Sequence, residues 1–155
     1  MILPLIHEPY VLSINISPGG IPKMPVYSVK VTIVGLEGDG HNHEKHRTPL
    51  QAVSLQDVEK LNEVNKEGFS LKPGSTGENL AVRNLHINRL AIRTVLEFSG
   101  GVILELTKVR KPCYVLDAID PRLKEVMDGR CGLYAKVLKE GTLSMGETIK
   151  VVSSV

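Results

Sequence analysis

The chain has 155 residues, which is enough for one domain with a sizeable core, and at about 100–200 residues per domain a second is not expected. Its formal net charge of +2, with four Tyr, two Phe and no Trp, argues against a nucleic-acid-binding surface. Residues 1–155 are therefore predicted to form a single domain without nucleic acid among its partners.

The N-terminal segment MILPLIHEPYVLSINIS is apolar, but it does not have the pattern of a signal peptide. It has no basic opening segment, Pro4 and Pro9 interrupt it, and Glu8 lies inside it. No stretch approaches the run of about 18 apolar residues that a membrane span requires. We therefore expect a cytoplasmic protein that does not bind membranes, with both cysteines reduced.

Short β-prone runs separated by Gly, Pro and Asn dominate the chain. They are VLSINIS (11–17), VYSVKVTIV (26–34), NLAV (79–82), LAIRTVLEF (90–98), VILELTKV (102–109) and TIKVV (148–152). In the fifth run, Leu104 and Leu106 alternate with polar residues, which places both leucines on one buried face. Several strands at such short spacing predict a barrel or a sandwich.

Two segments favour other elements. SLQDVEKLNEVNKEG (54–68) has an apolar residue at every third position from Leu55 to Val64, and Ser54 with Asp57 resembles a capping pair, which predicts a helix that Gly68 ends. Residues 131–152 predict a hairpin with KEG as its turn, although GLYAKVLK alone is also compatible with a short helix.

The segment RKPC (110–113) follows the strand-like run 102–109. Pro112 favours extended backbone in the residue before it, so Cys113 is expected just beyond a strand end, near the rim of the β structure. Arg110 and Lys111 favour a thiolate if their side chains turn toward the sulfur. The alternative is a buried cysteine that acts as a small apolar side chain.

The segment GDGHNHEKHR (38–47) offers a second chemistry. In an extended strand His41 and His43 point to the same side, and His46 or Asp39 supplies a third ligand for zinc or iron. This pattern predicts a metal-binding protein or a metal-dependent hydrolase. The alternative is a polar surface loop whose histidines do not meet.

The chain as a whole resembles the MOSC domain, the family named after the C-terminal part of molybdenum-cofactor sulfurase. The matching segments occur in the family's order, and they are GGIPKMPV (19–26), GLEGDGH (35–41), AVSLQ (52–56), TGENLAV (76–82), RKPC (110–113) and GLYAKVLKEGTLSMGETIKV (132–151). The resemblance implies a mostly β fold, a MOSC-type β-barrel with a few short helices. It also links the chain to a pyridoxal-phosphate-associated family of sulfur-handling proteins.

The resemblance further implies that Cys113 carries sulfur as a persulfide or ligates molybdenum of the molybdenum cofactor, a molybdopterin. Such a protein is sulfurtransferase-like or depends on the cofactor, and its expected partners are a sulfur donor such as a cysteine desulfurase and a pterin or other small-molecule acceptor. The cofactor-binding candidates fall in or beside the matched segments, and they are Lys23, Asp39, Arg47, Asn79, Arg110, Lys111 and Arg130.

Several questions stay open at this stage. The family usually shows a His and two glycines before its AVSL-like run, whereas this chain has HRTPLQAVSL, so the roles of His46 and Arg47 are undetermined. Cys131 is either a resolving thiol for Cys113 or a buried, inert one. A non-catalytic binding barrel is a third hypothesis beside sulfur or cofactor handling and metal binding, and an uncovered edge strand would permit a homodimer.

Overall fold

The computed structural model describes residues 8–40 and 48–152, and this part of the chain is mostly β with two short α-helices. The strands are β1 (Tyr10–Ile16), β2 (Met24–Val26), β3 (Ser28–Thr32), β4 (Gly35–Leu36), β5 (Val53–Asp57), β6 (Leu80–Arg83), β7 (Val95–Phe98), β8 (Ile103–Val109), β9 (Leu133–Lys139), β10 (Gly141–Ser144) and β11 (Ile149–Val152). The helices are α1 (Val58–Asn65) and α2 (Leu123–Val126), and short 3₁₀ turns occupy Pro49–Gln51, Ile87–Arg89 and Tyr114–Ala118.

Eight strands form one mixed sheet in the order β11-β7-β8-β9-β5-β6-β1-β2, and three more form a second sheet in the order β10-β3-β4. The pairs in the large sheet are antiparallel except β5 with β6, which run parallel with Leu55 opposite Leu80. The helix α1 connects these two parallel strands, because a parallel pair needs a crossover rather than a tight turn.

The barrel prediction is confirmed only as a predominantly β fold. The sheet curves until the start of β1 meets the segment before β11, where Val11 donates to the Glu147 carbonyl oxygen and Gly146 donates to that of Val11. Tyr10 and Thr148 form an isolated bridge at this contact. Within the described residues this meeting does not continue as a strand ladder, so a closed barrel is not confirmed.

The predicted helix 54–68 is shorter than expected, because its first four residues belong to a strand. Ser54–Asp57 lies in β5, and α1 begins only at Val58. Ser54 and Asp57 do not act as a capping pair: Asp57 is the N-cap but makes no capping hydrogen bond, and the Ser54 hydroxyl accepts from the Asn79 amide. Pairing with β6 and β9, which lie far away in sequence, overrides the local helical pattern here.

The predicted hairpin in residues 131–152 is wrong, although its strands are present. β9 pairs with β5 and β8 in the large sheet, while β10 pairs with β3 in the small one. The chain therefore crosses from one sheet to the other at Glu140, between β9 and β10. The alternative of a short helix in GLYAKVLK is also wrong, because Leu133–Lys139 is a strand.

The buried side chains of residues 8–40 and 48–152 form two clusters. The larger fills the sheets and includes Leu104 and Leu106, which confirms the predicted buried face of β8. The smaller packs α1 against α2 and the turn after Cys113, and it contains Leu61, Leu123 and Cys131. In the described ranges 8–40 and 48–152, neither helix has the length and apolar character of a membrane span.

Candidate functional site

The two cysteine segments are brought together where β8 ends and β9 begins. The Arg110 amide, one residue after β8, donates to the Gly132 carbonyl oxygen at 3.0 Å. Gly132 has a φ of +75°, and a Cβ atom at this position would overlap the Leu55 carbonyl oxygen of the neighbouring strand. Only glycine fits this crossing without strain, and the close approach places Cys131 and Cys113 in the wall of one cavity.

We call this cavity the Cys113 cavity. Its volume of about 560 Å³ is within the range usual for small-molecule sites. Cys113 is half-buried, and its carbonyl oxygen accepts from the Leu116 amide at the start of a 3₁₀ turn. Its side chain makes no capping hydrogen bond there, so the sulfur is not committed to the backbone. The position beyond a strand end matches the prediction from RKPC.

Four cationic side chains of the described residues line the same cavity, and they are Lys23, Lys108, Arg110 and Lys111. Among the described residues that line it there is no carboxylate to balance them. Lys108, Arg110 and Lys111 form no ion pair within the described residues, and a wall with three such cations attracts anionic ligands.

Asp39 lies behind this wall and fixes one of the cations. Its carboxylate is 1% exposed and accepts from the Lys23 ammonium at 2.7 and 2.8 Å. It also accepts from the Ser17 amide at 3.0 Å and from the Asn79 side chain at 2.9 Å. Asp39 therefore orients Lys23 and Asn79 and is not itself among the described residues that line the cavity.

Arg110 is held by the loop before β6. Its Nη2 atom donates to the Thr76 carbonyl oxygen. The Glu78 carboxylate, which is fully buried, accepts from the Thr76 hydroxyl and from the Gly74 amide, each at 2.7 Å, and so fixes this loop. The other terminal nitrogen, Nη1, is buried without a hydrogen-bond partner among the described residues. Buried donors without partners are rare, and one beside a cavity marks a position where a ligand acceptor fits.

Cys131 differs from Cys113 in its surroundings. It is only 2% exposed, and burial raises the pKa of its thiol, while the charge of nearby Arg110 acts in the opposite direction. A buried thiol with a raised pKa is a poor nucleophile at neutral pH. The structure therefore favours the interpretation of Cys131 as a buried, inert side chain, although it shares the cavity with Cys113.

The other predicted site residues divide into three groups. Lys111 and Asn79 line the Cys113 cavity together with Lys23 and Arg110. Arg130 does not belong to the described lining, because its guanidinium pairs with Glu67 at 2.6 Å on the surface. The remaining predicted residues, His41, His43, His46 and Arg47, lie outside the described residues. In the described part of the chain, no three His, Cys, Asp or Glu side chains form a metal-binding group.

Sequence reasoning missed several residues of this site. Lys108, Gln51, Ser54 and Tyr134 line the cavity, and Glu78 supports it. Lys108 and Tyr134 are opposite each other on β8 and β9, so strand register alone brings them together. Glu78 lies inside TGENLAV, but its neighbours Gly77 and Asn79 are not apolar and give no local signal that its carboxylate is buried.

Comparison with known proteins places these features in context. The family model of the MOSC domain matches residues 39–150, which is more than half of the chain. A curated protein named "Reductase" from Gibberella moniliformis is 31% identical over 83 residues, covering 51% of this chain. The chain spans only 15% of the length of that relative.

Solved structures share the fold at low sequence identity. The YuaD protein of Bacillus subtilis superposes with a TM-score of 0.79 at 18% identity, covering 94% of this chain and 96% of its own. YiiM of Geobacillus stearothermophilus superposes with a TM-score of 0.76 at 23% identity, covering 94% of this chain and 75% of its own. YiiM of Escherichia coli superposes with a TM-score of 0.73 at 21% identity, covering 95% of this chain and 71% of its own.

Proposed function

This chain belongs to the MOSC domain family, and from that membership we propose that the Cys113 cavity binds the molybdenum cofactor with the Cys113 thiolate as a ligand of the metal. The observation that carries the proposal is the buried Arg110 Nη1 atom, which has no partner among the described residues and belongs to a side chain that lines the same cavity as Cys113. A phosphate oxygen of a pterin cofactor is the kind of acceptor this donor lacks.

The residues present fit such a group. A thiolate is a suitable ligand for a soft, redox-active metal, and four cations suit a phosphorylated ligand. Gly77, at φ +89°, leaves room beside Arg110, since a Cβ atom there would lie 3.3 Å from Nη2 and 3.0 Å from an Ile21 methyl group. Lys23 and Arg110 would hold the phosphate, and the Asn79 amide would contact a polar edge of the ring.

The bound cofactor would supply two-electron redox chemistry at molybdenum. The name "Reductase" of the curated relative supports a redox role of this kind. The contribution of this chain is to hold Cys113 at the strand end, to keep Lys23 in place through Asp39, and to keep Arg110 in place through Thr76.

A second candidate function is sulfur carriage, which is favoured by the free, half-buried Cys113 thiol in a cavity wall that also contains Arg110 and Lys111. The Cys113 thiolate would attack the outer sulfur of a donor persulfide, R–S–SH, such as that of a cysteine desulfurase. The bond between the two donor sulfurs breaks, R–S⁻ leaves, and Cys113 carries the new persulfide. Arg110 and Lys111 would stabilise its anionic outer sulfur.

The test of both functions is the molybdenum content, the pterin content and the intact mass of the freshly purified protein, with and without reductant. For cofactor binding we expect molybdenum and pterin in the unaltered protein, loss of molybdenum in Cys113→Ser, and loss of pterin in Arg110→Met. Cys131→Ser is the matched thiol control and should retain both. A reducible gain of one sulfur atom on Cys113, without pterin, would instead support sulfur carriage. An unmodified Cys113 without molybdenum or pterin would contradict both functions.

The predicted metal site at His41, His43 and His46 stays a separate hypothesis. The same samples test it, because zinc or iron bound there should be lost in a His41/His43 double substitution and retained in Cys113→Ser. The cytoplasmic location and a homodimer also stay predictions.

A further inference from the structure

A second cavity adjoins the Cys113 cavity, with which it shares Gln51 and Lys108. It has a volume of about 370 Å³, and those two residues line both cavities. Its remaining wall comes from the turn before β5, the loop before β7, and the adjacent strands β8 and β9. We call it the Arg93 cavity, after a cation that lines it and does not line the first.

The wall of the Arg93 cavity is positively charged. Among the described residues it contains Arg93, Lys108 and Lys136 against a single carboxylate, Glu105, which is 3.5 Å from the Lys136 ammonium. After this pairing, the charges of Arg93 and Lys108 remain uncompensated within the described lining. An anionic group is the ligand that two such cations attract.

Two backbone irregularities shape this wall. The pairing of β8 with β9 shifts register between Leu106 and Lys108, so that Thr107 is an extra residue whose hydroxyl donates to the Leu50 carbonyl oxygen. Arg93 has a φ of 82°, which is unfavourable for a side chain of this size, and its amide donates to the Leu106 carbonyl oxygen at 2.7 Å. Bulges and positive-φ residues of this kind are often found at functional sites.

Gln51 gives the cavity a specific hydrogen-bonding group. Its Oε1 atom is buried and has no partner among the described residues. A buried acceptor without a donor is unfavourable, and a ligand N–H group would satisfy it. A glutamine amide can accept from the exocyclic amine of adenine while donating to the adjacent ring nitrogen. The apolar side chains of Leu50 and Ile92, which are 56% and 41% exposed, provide surface for a ring.

We propose that the Arg93 cavity is a second ligand site that binds an adenine nucleotide, with the phosphate on Arg93 and Lys108 and the adenine amine on Gln51. The charge of the wall selects a phosphate, the unpartnered Gln51 oxygen selects a ring with an N–H donor, and Leu50 and Ile92 cover the ring. The site shares Gln51 and Lys108 with the Cys113 cavity but does not include Cys113, and the proposal does not depend on the proposed function.

The experiment is titration of the full chain by isothermal calorimetry with AMP, IMP and inorganic phosphate. AMP is expected to bind about tenfold or more tightly than IMP, because at the base edge that carries N7 IMP presents only acceptors, whereas AMP presents the exocyclic amine to Gln51. Inorganic phosphate, which lacks the ring, should bind more weakly than either nucleotide.

Variants assign the binding to this cavity. Arg93→Asn removes the charge but tolerates a positive φ, so the fold should be kept while AMP affinity falls about tenfold. Lys136→Gln leaves the Glu105 charge unpaired beside the phosphate and should also weaken binding. Gln51→Met should remove the preference for AMP over IMP. Lys150→Ala, an exposed lysine on β11, and Cys113→Ser should leave AMP affinity unchanged.

Three results would overturn the proposal. They are the absence of AMP binding, equal affinity for AMP and inorganic phosphate, and AMP binding that Arg93→Asn and Lys136→Gln leave unchanged. Retention of AMP by a Cys113→Ser protein that has lost molybdenum would support this site and show that the two cavities act separately. Loss of cofactor binding alone would contradict only the proposed function.

Discussion

At the scale of single residues, Asp39 is the most constrained charge in the site. Donors from Ser17, Lys23 and Asn79 all point at its two oxygens, and the carboxylate is 1% exposed. In Asp39→Asn one oxygen becomes an NH₂ group that cannot accept, and Lys23 loses its counter-charge. We expect the free energy of unfolding to fall by about 3 kcal/mol, as for a broken buried ion pair.

Urea unfolding of Asp39→Asn measures this loss, and Asp120→Asn is its control. Asp120 pairs with Arg122 on the surface, where the guanidinium lowers the pKa of the carboxyl to about 2. Because that pair is exposed to water, its loss should change stability much less than the loss of the Asp39 pair. Equal effects of the two substitutions would show that the Lys23–Asp39 pair has no special structural role.

Asp57 provides a prediction about pH. Burial raises the pKa of this carboxyl, although the hydrogen bond from the Ile87 amide, 2.9 Å long, acts in the opposite direction. A raised pKa means that the folded state prefers protonated Asp57. Its favourable contribution is therefore complete below pH ~4, the ordinary value for Asp, and is lost as pH rises through the folded pKa.

Asp57→Asn should remove this dependence because an amide does not ionise. Urea unfolding from pH 3.5 to 7 should show the variant gaining stability relative to the unaltered protein as pH rises, by ~1.4 kcal/mol for each unit of pKa shift. Parallel stability curves would mean that the Asp57 pKa is the same in the folded and unfolded states.

At the scale of elements, the crossing of β5 and the start of β9 at Gly132 holds the site together. Gly132→Ala combines an unfavourable φ of +75° with overlap of its Cβ atom and the Leu55 carbonyl oxygen. Gly129→Ala is a matched control, since Gly129 has a φ of +79° and nothing within 4 Å of the added carbon. In both variants the alanine must adopt the left-handed conformation, which costs about 1–2 kcal/mol of backbone strain.

The free energy of unfolding should fall by about 2 kcal/mol more in Gly132→Ala than in Gly129→Ala, because steric overlap adds to the backbone strain. The Gly132 carbonyl oxygen also accepts from the Arg110 amide, which lies in the segment that leads to Cys113. The rate of Cys113 alkylation should therefore change in Gly132→Ala and not in Gly129→Ala. Thermal unfolding and mass-spectrometric labelling test these two effects. Equal stabilities would show that the strands separate at this crossing with little loss of free energy.

The same elements show how far sequence reasoning reaches. The alternation in VILELTKV predicted β8 and its buried leucines correctly, since side-chain alternation is a local property of a strand. LAIRTVLEF was predicted as one strand from residue 90, yet β7 begins at Val95 because Arg93 takes a left-handed conformation that composition does not reveal. The partner of β10 is likewise set by packing across the molecule.

The candidate site divides in a similar way. Five candidates that were selected from the matched segments line one cavity in the structure, and they are Lys23, Asn79, Arg110, Lys111 and Cys113. Arg130 was selected by the same reasoning, but its pairing with Glu67 depends on how α1 and the loop before β9 approach each other. The second cavity was not predicted, because a bulge, a register shift and an unpartnered amide oxygen exist only in three dimensions.

At the scale of the whole molecule, the Cys113 cavity lies between two cores of different size. Its walls include strand residues next to the sheet core, and also Leu116 and Cys131, which belong to the smaller cluster around α1 and α2. The smaller cluster has few members, so it is the part expected to open first. Local opening there would expose Cys131 without unfolding the sheets.

Leu123→Ala in the smaller cluster and Leu104→Ala in the sheet core test this difference. Both leucines are almost fully buried, so each substitution should destabilise its cluster by about 2–5 kcal/mol. Leu123→Ala should raise the rate of Cys131 alkylation in the absence of denaturant, while the main unfolding transition in urea changes little. Leu104→Ala should shift that main transition and leave Cys131 protected until the transition begins. If the two variants expose Cys131 only at their unfolding midpoints, the clusters unfold as one unit, and access to the Cys113 cavity does not depend on local opening of the helices.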